Sequence, residues 1–239
     1  MTDETREAMI LAGGLGSRLR AVVADRPKPM ADVAGRPFIT FLLDHLLQYG
    51  FRRAILCVGY MGEYVPPVLG DRYGTMELIY SFERTALGTG GALRNAASLV
   101  RADDVLAMNG DSFCDVDLHA LSRTHHKYRA VATIAVLQRS NRRQSGAVTL
   151  DPSGRVIAFE SRPAVPTPGL INAGIYVLRR NVLDLMPPDR NVSLEEEIFP
   201  ALAARRVLFG WQVEGRFIDI GTPESYDAAQ AFSDMASRE

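Results

Sequence analysis

Short apolar runs alternate with helix-like segments through the first half of this 239-residue chain. The apolar runs predict strands over residues 8–12, 54–58, 77–80, 105–108 and 131–137. Apolar periodicity and turn residues predict helices over residues 37–50, 91–100 and 118–128. Strands joined by helical crossovers pair in parallel and are covered on both faces. This half is therefore predicted to form an α/β structure with a largely parallel sheet.

The pattern changes from Gly146 onward. The segments GAVTLD, GRVIAFE and GLINAGIYVL are strand-like, and DPSG at residues 151–154 is typical of a hairpin turn. Ser193 and Glu196 have the spacing of a capping box, which predicts a helix to residue 204, and Thr222 is the predicted cap of a final helix. A mixed, partly antiparallel region is therefore expected. Because no repeat or linker interrupts the sequence, residues 1–239 are predicted to form a single domain.

Charge and cysteine content argue against several classes of protein. The chain carries 27 Lys and Arg residues against 28 Asp and Glu residues, which gives no reason to expect binding to nucleic acid or to an acidic membrane. Cys57 and Cys114 are too few for a disulfide framework and are not spaced as a zinc site. No segment reaches the roughly 18 uninterrupted apolar residues of a membrane span. The chain is therefore expected to be cytoplasmic.

The stretch MILAGGLGSRLRAVVADRPKPM, residues 9–30, places glycines directly after the first predicted strand. Glycines let backbone N–H groups crowd around an anion, because no Cβ blocks the approach. The G-x-G-x-x-G pattern of dinucleotide-binding proteins does not match this stretch. When the pattern is counted from Gly14, Leu19 stands where its last glycine is required. The Gly-Lys-Ser/Thr of a P-loop is absent from the chain. The stretch therefore predicts a phosphate-binding loop of another kind.

This stretch resembles the signature of the sugar-1-phosphate nucleotidyltransferases, Gly-Gly-x-Gly-x-Arg-Leu followed by Pro-Lys-Pro. The matching residues are Gly13, Gly14, Gly16, Arg18, Leu19, Pro27, Lys28 and Pro29. The resemblance continues with residues 87–92 as a base-binding loop and with residues 109–111 and 219–223 as metal motifs. It implies a Rossmann-like mixed, mainly parallel sheet flanked by helices, the nucleotide-diphospho-sugar transferase fold. The N-terminal half would bind the nucleotide and the C-terminal half the sugar phosphate.

Within this family, several segments look most like the D-glycero-α-D-manno-heptose 1-phosphate guanylyltransferases. These segments are GRPF, VGYM, LGTGGA, NGDSF, GLINAGIYVL, SLEEEIFP and FIDIGTPE. The resemblance implies Mg²⁺-dependent transfer of GMP from GTP to this heptose 1-phosphate, giving GDP-heptose and pyrophosphate. It also implies a role in making precursors of bacterial surface polysaccharides, such as capsule or lipopolysaccharide.

The implied reaction brings two anions together, so catalysis depends on positioning and on charge neutralisation. Arg18 can hold two triphosphate oxygens at once, and Lys28 can act as a point charge at the α-phosphate. Asp111 and Asp219 each follow an apolar stretch that is expected to end at the carboxyl edge of a sheet, where they would bind Mg²⁺. Arg18, Lys28 and Asp111 are the predicted catalytic residues. Taken separately, each aspartate could instead be a turn former.

The resemblance also implies a nucleotide site. Its predicted members are Leu11, Ala12, Gly13, Gly14, Gly16, Ser17, Arg18, Glu83, Gly88 and Thr89. Glu83 stands five places before Gly88, where relatives that use UTP often have a glutamine. A carboxylate can only accept hydrogen bonds, and guanine offers two adjacent donors, so Glu83 favours GTP. The alternative is an exposed glutamate at the end of a strand.

For the sugar phosphate, the resemblance points to Glu160 and Asn172 as hydroxyl-binding residues, with Gly146 allowing close approach. Asn109 is assigned to the same site. Arg162 stands where the family often has a lysine, and because the guanidinium differs in reach and geometry, the identity of the sugar stays open.

Other functions remain as alternatives. The substrates could be mannose 1-phosphate with GTP, or glucose 1-phosphate with UTP or TTP, and the chain could be a non-enzymatic sensor of nucleotide sugars. The joint presence of Arg18, Lys28, Asp111 and Asp219 argues against a sensor, which could lose catalytic charges without unfolding. The acidic residues 195–197 are interpreted as serving a helix N-terminus rather than a metal. A homo-oligomer is left open.

Overall fold

A computed structural model describes residues 6–141, 146–161 and 167–231, so that the predicted site residue Arg162 lies outside the described residues. The strands are β1 (Glu7–Ala12), β2 (Asp32–Val33), β3 (Arg36–Pro37), β4 (Arg53–Val58), β5 (Arg72–Tyr73), β6 (Met76–Phe82), β7 (Asp104–Asn109), β8 (Ser112–Cys114), β9 (Ala132–Arg139), β10 (Ala147–Leu150), β11 (Val156–Glu160), β12 (Gly169–Arg179), β13 (Leu208–Val213) and β14 (Phe217–Asp219). The α-helices are α1 (Ile39–Gln48), α2 (Val65–Leu69), α3 (Gly88–Asn95), α4 (Leu118–Lys127), α5 (Phe199–Ala204) and α6 (Pro223–Gln230). A 3₁₀ turn at Lys28–Met30 and a π-helical turn at Leu194–Ile198 also bear on the site.

The central sheet has the strand order β11-β10-β12-β7-β1-β4-β6-β5, with β9 paired to β12 and β13 paired to β9. Strands β7, β1, β4 and β6 are parallel neighbours. β4 is buried along its whole length and β1 along nearly all of it, which explains the apolar runs at residues 54–58 and 8–12, because a parallel sheet is covered on both faces. The predicted α/β fold with a mixed, mainly parallel sheet is confirmed.

The second half of the sheet is built on β12, which is antiparallel to β7, β9 and β10. Its register against β9 shifts between Asn172 and Tyr176. Such an irregularity bends a strand and redirects neighbouring side chains. The predicted hairpin turn joins β10 to β11, and the Gly154 N–H donates to the Asp151 carbonyl at 2.9 Å. The expected antiparallel region is therefore present.

Several boundaries differ from the sequence predictions. α1 begins at Ile39 rather than at Pro37, because Pro37 pairs with Asp32 in the β2–β3 hairpin. α3 begins at Gly88 rather than at residue 91 and ends at Asn95. The strand β13 and the helix α2 were not predicted, because each is short or weakly patterned.

The helix start at Ser193 also differs from the prediction. Ser193 Oγ accepts a hydrogen bond from the Glu196 N–H at 3.1 Å as expected, but the Ser193 N–H donates to the Glu197 carboxylate, also at 3.1 Å. Glu196 is therefore wrong as the reciprocal partner. The first turn is π-helical, and its wider spacing brings Glu197 to the cap. The predicted cap Thr222 forms a reciprocal capping box with Ser225.

Two apolar layers enclose the sheet. Successive strand residues point to opposite faces, so Ile10 packs in the layer that contains Leu42 of α1, while Met9 packs in the layer that contains Leu93 of α3. The helices α1 and α3 therefore cover opposite faces of the sheet. None of the helices in the described ranges is both long enough and apolar enough to span a lipid bilayer.

A short ribbon of β8 and β14 stands apart from the main sheet. The two strands are antiparallel, with Asp219 opposite Ser112. At the same end, the Ile220 N–H donates to the Asp111 carbonyl at 3.0 Å. The ribbon therefore holds the segment that follows β7 beside the segment that precedes α6.

Replacing Gly215 with alanine is expected to loosen this ribbon. A Cβ on Gly215 would lie 1.7 Å from the Asp115 carbonyl oxygen, and the Asp115 N–H is bonded to the Arg216 carbonyl at 2.9 Å, so neither backbone can move freely. We expect a loss of roughly 1–3 kcal/mol in the free energy of unfolding, as for other overpacked sites. Urea denaturation measures this loss. The control is Gly14→Ala, where a Cβ meets no atom within 4 Å and φ is not left-handed; an equal or larger loss there would contradict a steric cause.

Candidate active site

A cleft of about 650 Å³ opens at the carboxyl ends of the parallel strands β1, β4, β6 and β7. Parallel α/β sheets bind their ligands at this edge. The predicted site residues that line the cleft are Leu11, Gly13, Gly14, Gly16, Ser17, Arg18, Lys28, Glu83, Gly88, Thr89, Asn109 and Asp111. Ala12 is buried at the end of β1 and contributes no lining surface.

The glycine loop packs closely against two charged side chains. Gly16 has a φ of +58°, which favours glycine, and a Cβ there would lie 3.2 Å from Lys28 Cβ. A Cβ on Gly13 would lie 2.5 Å from Glu83 Oε1. Leu19 fixes the loop, because its side chain is buried and its N–H donates to the Gly16 carbonyl at 2.9 Å. The loop backbone therefore runs between a cation and a carboxylate.

Lys28 occupies a restricted stretch of backbone. Pro27 has extended backbone angles, and the Met30 N–H donates to the Pro27 carbonyl at 2.8 Å, which closes the 3₁₀ turn. Lys28 Nζ lies 2.6 Å from Asp111 Oδ2, and the two side chains are 11% and 41% exposed. Hydrogen bonds between two charged groups are shorter and stronger than neutral ones. The ammonium group is therefore fixed beside the Asp111 carboxylate.

Asp219 also lies near Lys28 and Asp111, but the strand that carries it is not the one predicted. It ends β14 of the ribbon rather than a strand of the main sheet, which corrects that expectation. Its carboxylate accepts a hydrogen bond from the Gly221 N–H. Burial and then the nearby Asp111 charge raise the pKa of Asp219, whereas Lys28 and Arg18 lower it. The charges of Asp111, Lys28 and Arg18 therefore all act on Asp219, and we call these four residues the charge cluster.

The two carboxylates of the charge cluster fit a divalent cation. Their mutual repulsion in a half-buried position would be relieved by a positive ion. Within the described ranges, no group of three or more His, Cys, Asp or Glu side chains could hold a metal ion. Mg²⁺ commonly takes only one or two protein carboxylates and completes its shell with water and phosphate oxygens. Asp111 and Asp219 therefore match the ligand set that Mg²⁺ prefers beside a triphosphate.

Glu83 follows β6 and is half-buried in the cleft wall. Its Oε2 accepts a hydrogen bond from the Leu87 N–H at 2.9 Å. Burial raises the pKa of the Glu83 carboxyl, and the Leu87 hydrogen bond opposes this effect. The alternative of a fully exposed strand-end glutamate therefore does not describe its position.

The start of α3 packs against backbone from the second half of the chain. The Gly90 N–H donates to the Val192 carbonyl at 2.8 Å, and a Cβ on Gly88 would lie 2.6 Å from the same oxygen. Next to this contact, Asn191 Nδ2 donates to the Ala86 carbonyl at 3.0 Å, and Asn191 lines the cleft. The glycines of LGTGGA thus allow the segment that carries Asn191 to approach the cleft.

Three of the predicted sugar-site residues, Gly146, Glu160 and Asn172, lie near one another and do not line the cleft. The Asn172 N–H donates to the Gly146 carbonyl at 2.8 Å. Glu160 is exposed at the end of β11, whose partner β10 begins directly after Gly146. Asn172 is buried in β12, and its side chain bonds to neighbouring protein groups.

Other residues of the cleft were missed at the sequence level, among them Tyr60, Arg84, Thr85, Ala86 and Asn191. Residues 84–86 lie between two predicted site residues, so the motif spacing could have indicated them. Tyr60 lies just beyond the carboxyl end of β4, a position that predicts proximity to ligands in a parallel sheet. No local signal marks Asn191, because it reaches the cleft through tertiary packing.

The sequence of this chain matches the family described as Nucleotidyl transferase over residues 7–235. The chain belongs to this family. The D-glycero-alpha-D-manno-heptose 1-phosphate guanylyltransferase of Aneurinibacillus thermoaerophilus is 34% identical, over 94% of this chain and 96% of its own length. The protein of the same name from Campylobacter jejuni is 35% identical, over 92% and 96%. The Mannose-1-phosphate guanylyltransferase of Mycobacterium tuberculosis is 37% identical over 95% of this chain, which spans 64% of that protein.

Solved structures agree with this assignment to the family. HddC from Yersinia pseudotuberculosis is similar with a TM-score of 0.85 and 30% identity, over 96% of this chain and 100% of that one. HddC complexed with GMP-PN is similar with a TM-score of 0.83 over the same shares. The predicted nucleotide-diphospho-sugar transferase fold and the resemblance to the heptose 1-phosphate guanylyltransferases are both confirmed.

Proposed function

We propose that this chain transfers GMP from GTP to D-glycero-α-D-manno-heptose 1-phosphate, giving GDP-heptose and pyrophosphate. The observation that carries the proposal is the charge cluster, which places two cations and two carboxylates at the ligand-binding edge of a nucleotidyl transferase. Two relatives named for this heptose 1-phosphate match almost end to end. The related HddC forms a complex with GMP-PN, which supports a guanine nucleotide.

In the proposed step, an oxygen of the sugar 1-phosphate attacks the α-phosphorus of GTP. A new P–O bond forms while the bond from the α-phosphorus to the oxygen that bridges to the β-phosphate breaks, and pyrophosphate leaves with that electron pair. Arg18 would bind triphosphate oxygens through its planar guanidinium. Lys28 would neutralise the charge that develops at the α-phosphate, and the N–H groups of the glycine loop would add donors.

Asp111 and Asp219 would hold Mg²⁺ in this proposal. When bound, Mg²⁺ supplies Lewis-acid stabilisation of phosphate oxygens. The protein contributes the charge state of the site: Lys28 and Arg18 lower the pKa of Asp219 against the effects of burial and of Asp111. The two cations therefore oppose the rise in the pKa of Asp219 that burial and Asp111 cause.

The remaining site residues are divided between the two substrates. The nucleotide would contact Leu11, Ala12, Gly13, Gly14, Gly16, Ser17, Arg18, Glu83, Gly88 and Thr89. The sugar phosphate would contact Asn109, Gly146, Glu160, Arg162 and Asn172. We further propose a cytoplasmic, single-domain enzyme that binds neither nucleic acid nor membranes, which the net charge of −1 supports.

Mannose 1-phosphate is the second candidate sugar, because a relative named for it is 37% identical to this chain. Pyrophosphate release from GTP, ATP, CTP, UTP and TTP, each paired with heptose, mannose and glucose 1-phosphates, tests both candidates. We expect the highest kcat/KM with GTP and the heptose. A preference for UTP or TTP would overturn the guanylyltransferase proposal. If none of the pairs released pyrophosphate, the proposal that this chain is an enzyme would be overturned.

Glu83→Gln is expected to weaken discrimination between GTP and UTP. The amide keeps the size of the carboxyl but turns one acceptor into a donor, which would face a donor of guanine. The ratio of kcat/KM for GTP to kcat/KM for UTP should fall by the equivalent of roughly 1–3 kcal/mol, the cost of a mismatched buried polar group. Glu63→Gln, at an exposed position away from the cleft, is the control. An unchanged ratio would remove Glu83 from base recognition.

The same variant has a pH signature. Because burial raises the pKa of Glu83, its carboxylate is lost at a higher pH than that of an ordinary glutamate as the solution is acidified. The kcat/KM for GTP reports groups of the free enzyme, so its acid limb should begin at a higher pH in the wild type than in Glu83→Gln. Identical acid limbs would contradict this role.

A further inference from the structure

We infer that Arg20 is a positioning residue, which holds the glycine loop against the ring of Tyr60 and so directs Arg18 at the triphosphate. The inference rests on the proposed function, in which Arg18 binds triphosphate oxygens. The sequence analysis assigned no role to Arg20 or Tyr60. Their contact joins the loop that follows β1 to the segment just beyond the carboxyl end of β4.

Residues 16–23 form helical turns directly after the glycines. The Gly16 carbonyl accepts hydrogen bonds from the Leu19 N–H at 2.9 Å and from the Arg20 N–H at 3.2 Å, and the Leu19 carbonyl accepts two more from residues further along the chain. Each residue of a helical turn advances by about 100° around the axis. The side chains of Arg18, Leu19 and Arg20 therefore leave the turn in three different directions.

These three directions lead to different surroundings. Arg18 lines the nucleotide cleft and belongs to the charge cluster. Leu19 is buried in the core, with 1% of its surface exposed. Arg20 is exposed and is not among the described residues that line the cleft, and its guanidinium lies over the ring of Tyr60. The rotation of the turn about its axis is therefore fixed by Leu19 on one side and by Arg20 on another.

Arg20 contacts Tyr60 in two ways. Its Cζ lies 4.5 Å from the centroid of the ring, which is within the distance of a cation–π interaction. Its Nη2 also donates a hydrogen bond to Tyr60 Oη. Because the two contacts use the charge and a directed N–H of the same planar group, they restrict both the distance and the orientation of the guanidinium.

Tyr60 is in turn attached to the start of the glycine loop. Its N–H donates to the Gly13 carbonyl at 3.2 Å, and a Cβ on Gly59 would lie 2.9 Å from the same oxygen. Tyr60 lines the cleft, and together with Arg20 it also lines a crevice of about 10 Å³ beside the loop. The loop is therefore held to the end of β4 by a backbone hydrogen bond before its glycines and by Arg20 after them.

This arrangement bears on the free energy of GTP binding. Glycines have more conformational freedom than other residues, so a loop that contains Gly13, Gly14 and Gly16 loses entropy when a triphosphate orders it. A contact outside the cleft that orders the loop beforehand reduces this loss without touching the ligand. Arg20 therefore favours GTP binding by preorganising the backbone that carries Arg18.

Titration calorimetry of GTP binding to Arg20→Ala, in Mg²⁺ and without sugar 1-phosphate, tests the inference. We expect the Kd for GTP to rise by about three- to tenfold, the range that one exposed cation–π contact and one hydrogen bond allow. Guanosine has no phosphate, so its Kd, measured by competition with GTP, should not change. Arg20→Lys keeps a cation near the ring and should recover part of the affinity for GTP. An unchanged Kd for GTP in Arg20→Ala would overturn the inference.

Arg155→Ala is the matched control. The Arg155 guanidinium lies over the ring of Phe209, with its Cζ 5.2 Å from the centroid, and neither residue is among the described ones that line the cleft. The variant removes the same kind of contact elsewhere and should keep the wild-type Kd for GTP. Thermal unfolding of both variants checks that they are folded. An equal rise in the Kd for guanosine and for GTP in Arg20→Ala would indicate general damage to the cleft and overturn the positioning role.

Double variants separate positioning from direct contact with the triphosphate. If Arg20 acts through Arg18, Arg20→Ala should add little to the rise in Kd that Arg18→Ala already causes. Arg20→Ala should also add little in Tyr60→Leu, because the ring that it contacts is gone. Effects that add independently in the Arg18→Ala background would assign Arg20 to the ligand itself and overturn the positioning role.

The two levels of the proposal fail in different ways. If the wild type bound GTP but released no pyrophosphate with any of the sugar 1-phosphates, the proposed function would fall, whereas the Kd values would still decide the role of Arg20. If the wild type were active but Arg20→Ala kept its Kd for GTP, the role of Arg20 alone would fall. A wild type that did not bind GTP would overturn both.

Discussion

Asp111→Asn is expected to lower kcat by on the order of 10³-fold or more while the protein stays folded, because it removes a charge that both a metal ion and a catalytic cation would use. Asp111 Oδ2 lies 2.6 Å from Lys28 Nζ, so the substitution weakens the position of Lys28 as well. The Asp111 side chain is 41% exposed, and asparagine has the same shape, so we expect little change in the free energy of unfolding. Pyrophosphate release with saturating GTP and sugar 1-phosphate in Mg²⁺ measures the loss.

Asp115→Asn is the matched control for this prediction. Asp115 follows the next strand, β8, and its side chain is exposed, so its amide variant should keep wild-type turnover. Thermal unfolding of both variants checks that they are folded. Turnover of Asp111→Asn close to that of the wild type would remove Asp111 from the proposed metal site.

Lys28→Ala is expected to lower kcat by roughly 10²–10³-fold, the range for removing a group that stabilises charge in a transition state. Its effect on the KM for GTP should be smaller, because the charge that Lys28 neutralises develops during the reaction. Arg18→Ala should instead raise the KM for GTP more than it lowers kcat. The reason is that the guanidinium would bind the triphosphate in the ground state as well as in the transition state. Steady-state kinetics with varied GTP separate the two patterns.

The chain offers a matched control for Lys28. Of its 27 Lys and Arg residues only Lys28 and Lys127 are lysines, and Lys127 lies in the last turn of α4. Lys127→Ala should therefore keep wild-type kinetics. Lys28→Arg should remain impaired, because a planar guanidinium does not reproduce a point charge in a position closely packed against Gly16. Wild-type kcat in Lys28→Ala would contradict the catalytic role.

The sequence by itself predicted the parallel core of the fold and the loops at its edge. The strand predicted over residues 8–12 is observed at Glu7–Ala12, and the one predicted over residues 54–58 at Arg53–Val58. Such strands can be predicted from the sequence, because burial on both faces favours a run of apolar residues. The glycine loop could also be predicted from the sequence. Close contacts such as that of Gly13 with Glu83 leave no room for a side chain and therefore require glycine. Both signals are local in the sequence.

The tertiary structure alone decided which distant residues meet. Asp219 approaches Asp111 through the β8–β14 ribbon, and neither short strand has a pattern that would predict the pairing. Glu197 rather than Glu196 reaches the N–H of Ser193 across a π-helical turn, and the register of β12 shifts after Asn172. These features arise from packing between segments far apart in the chain. A local pattern can therefore predict which residues carry the chemistry, but the partner of each side chain is fixed only when the backbone is complete.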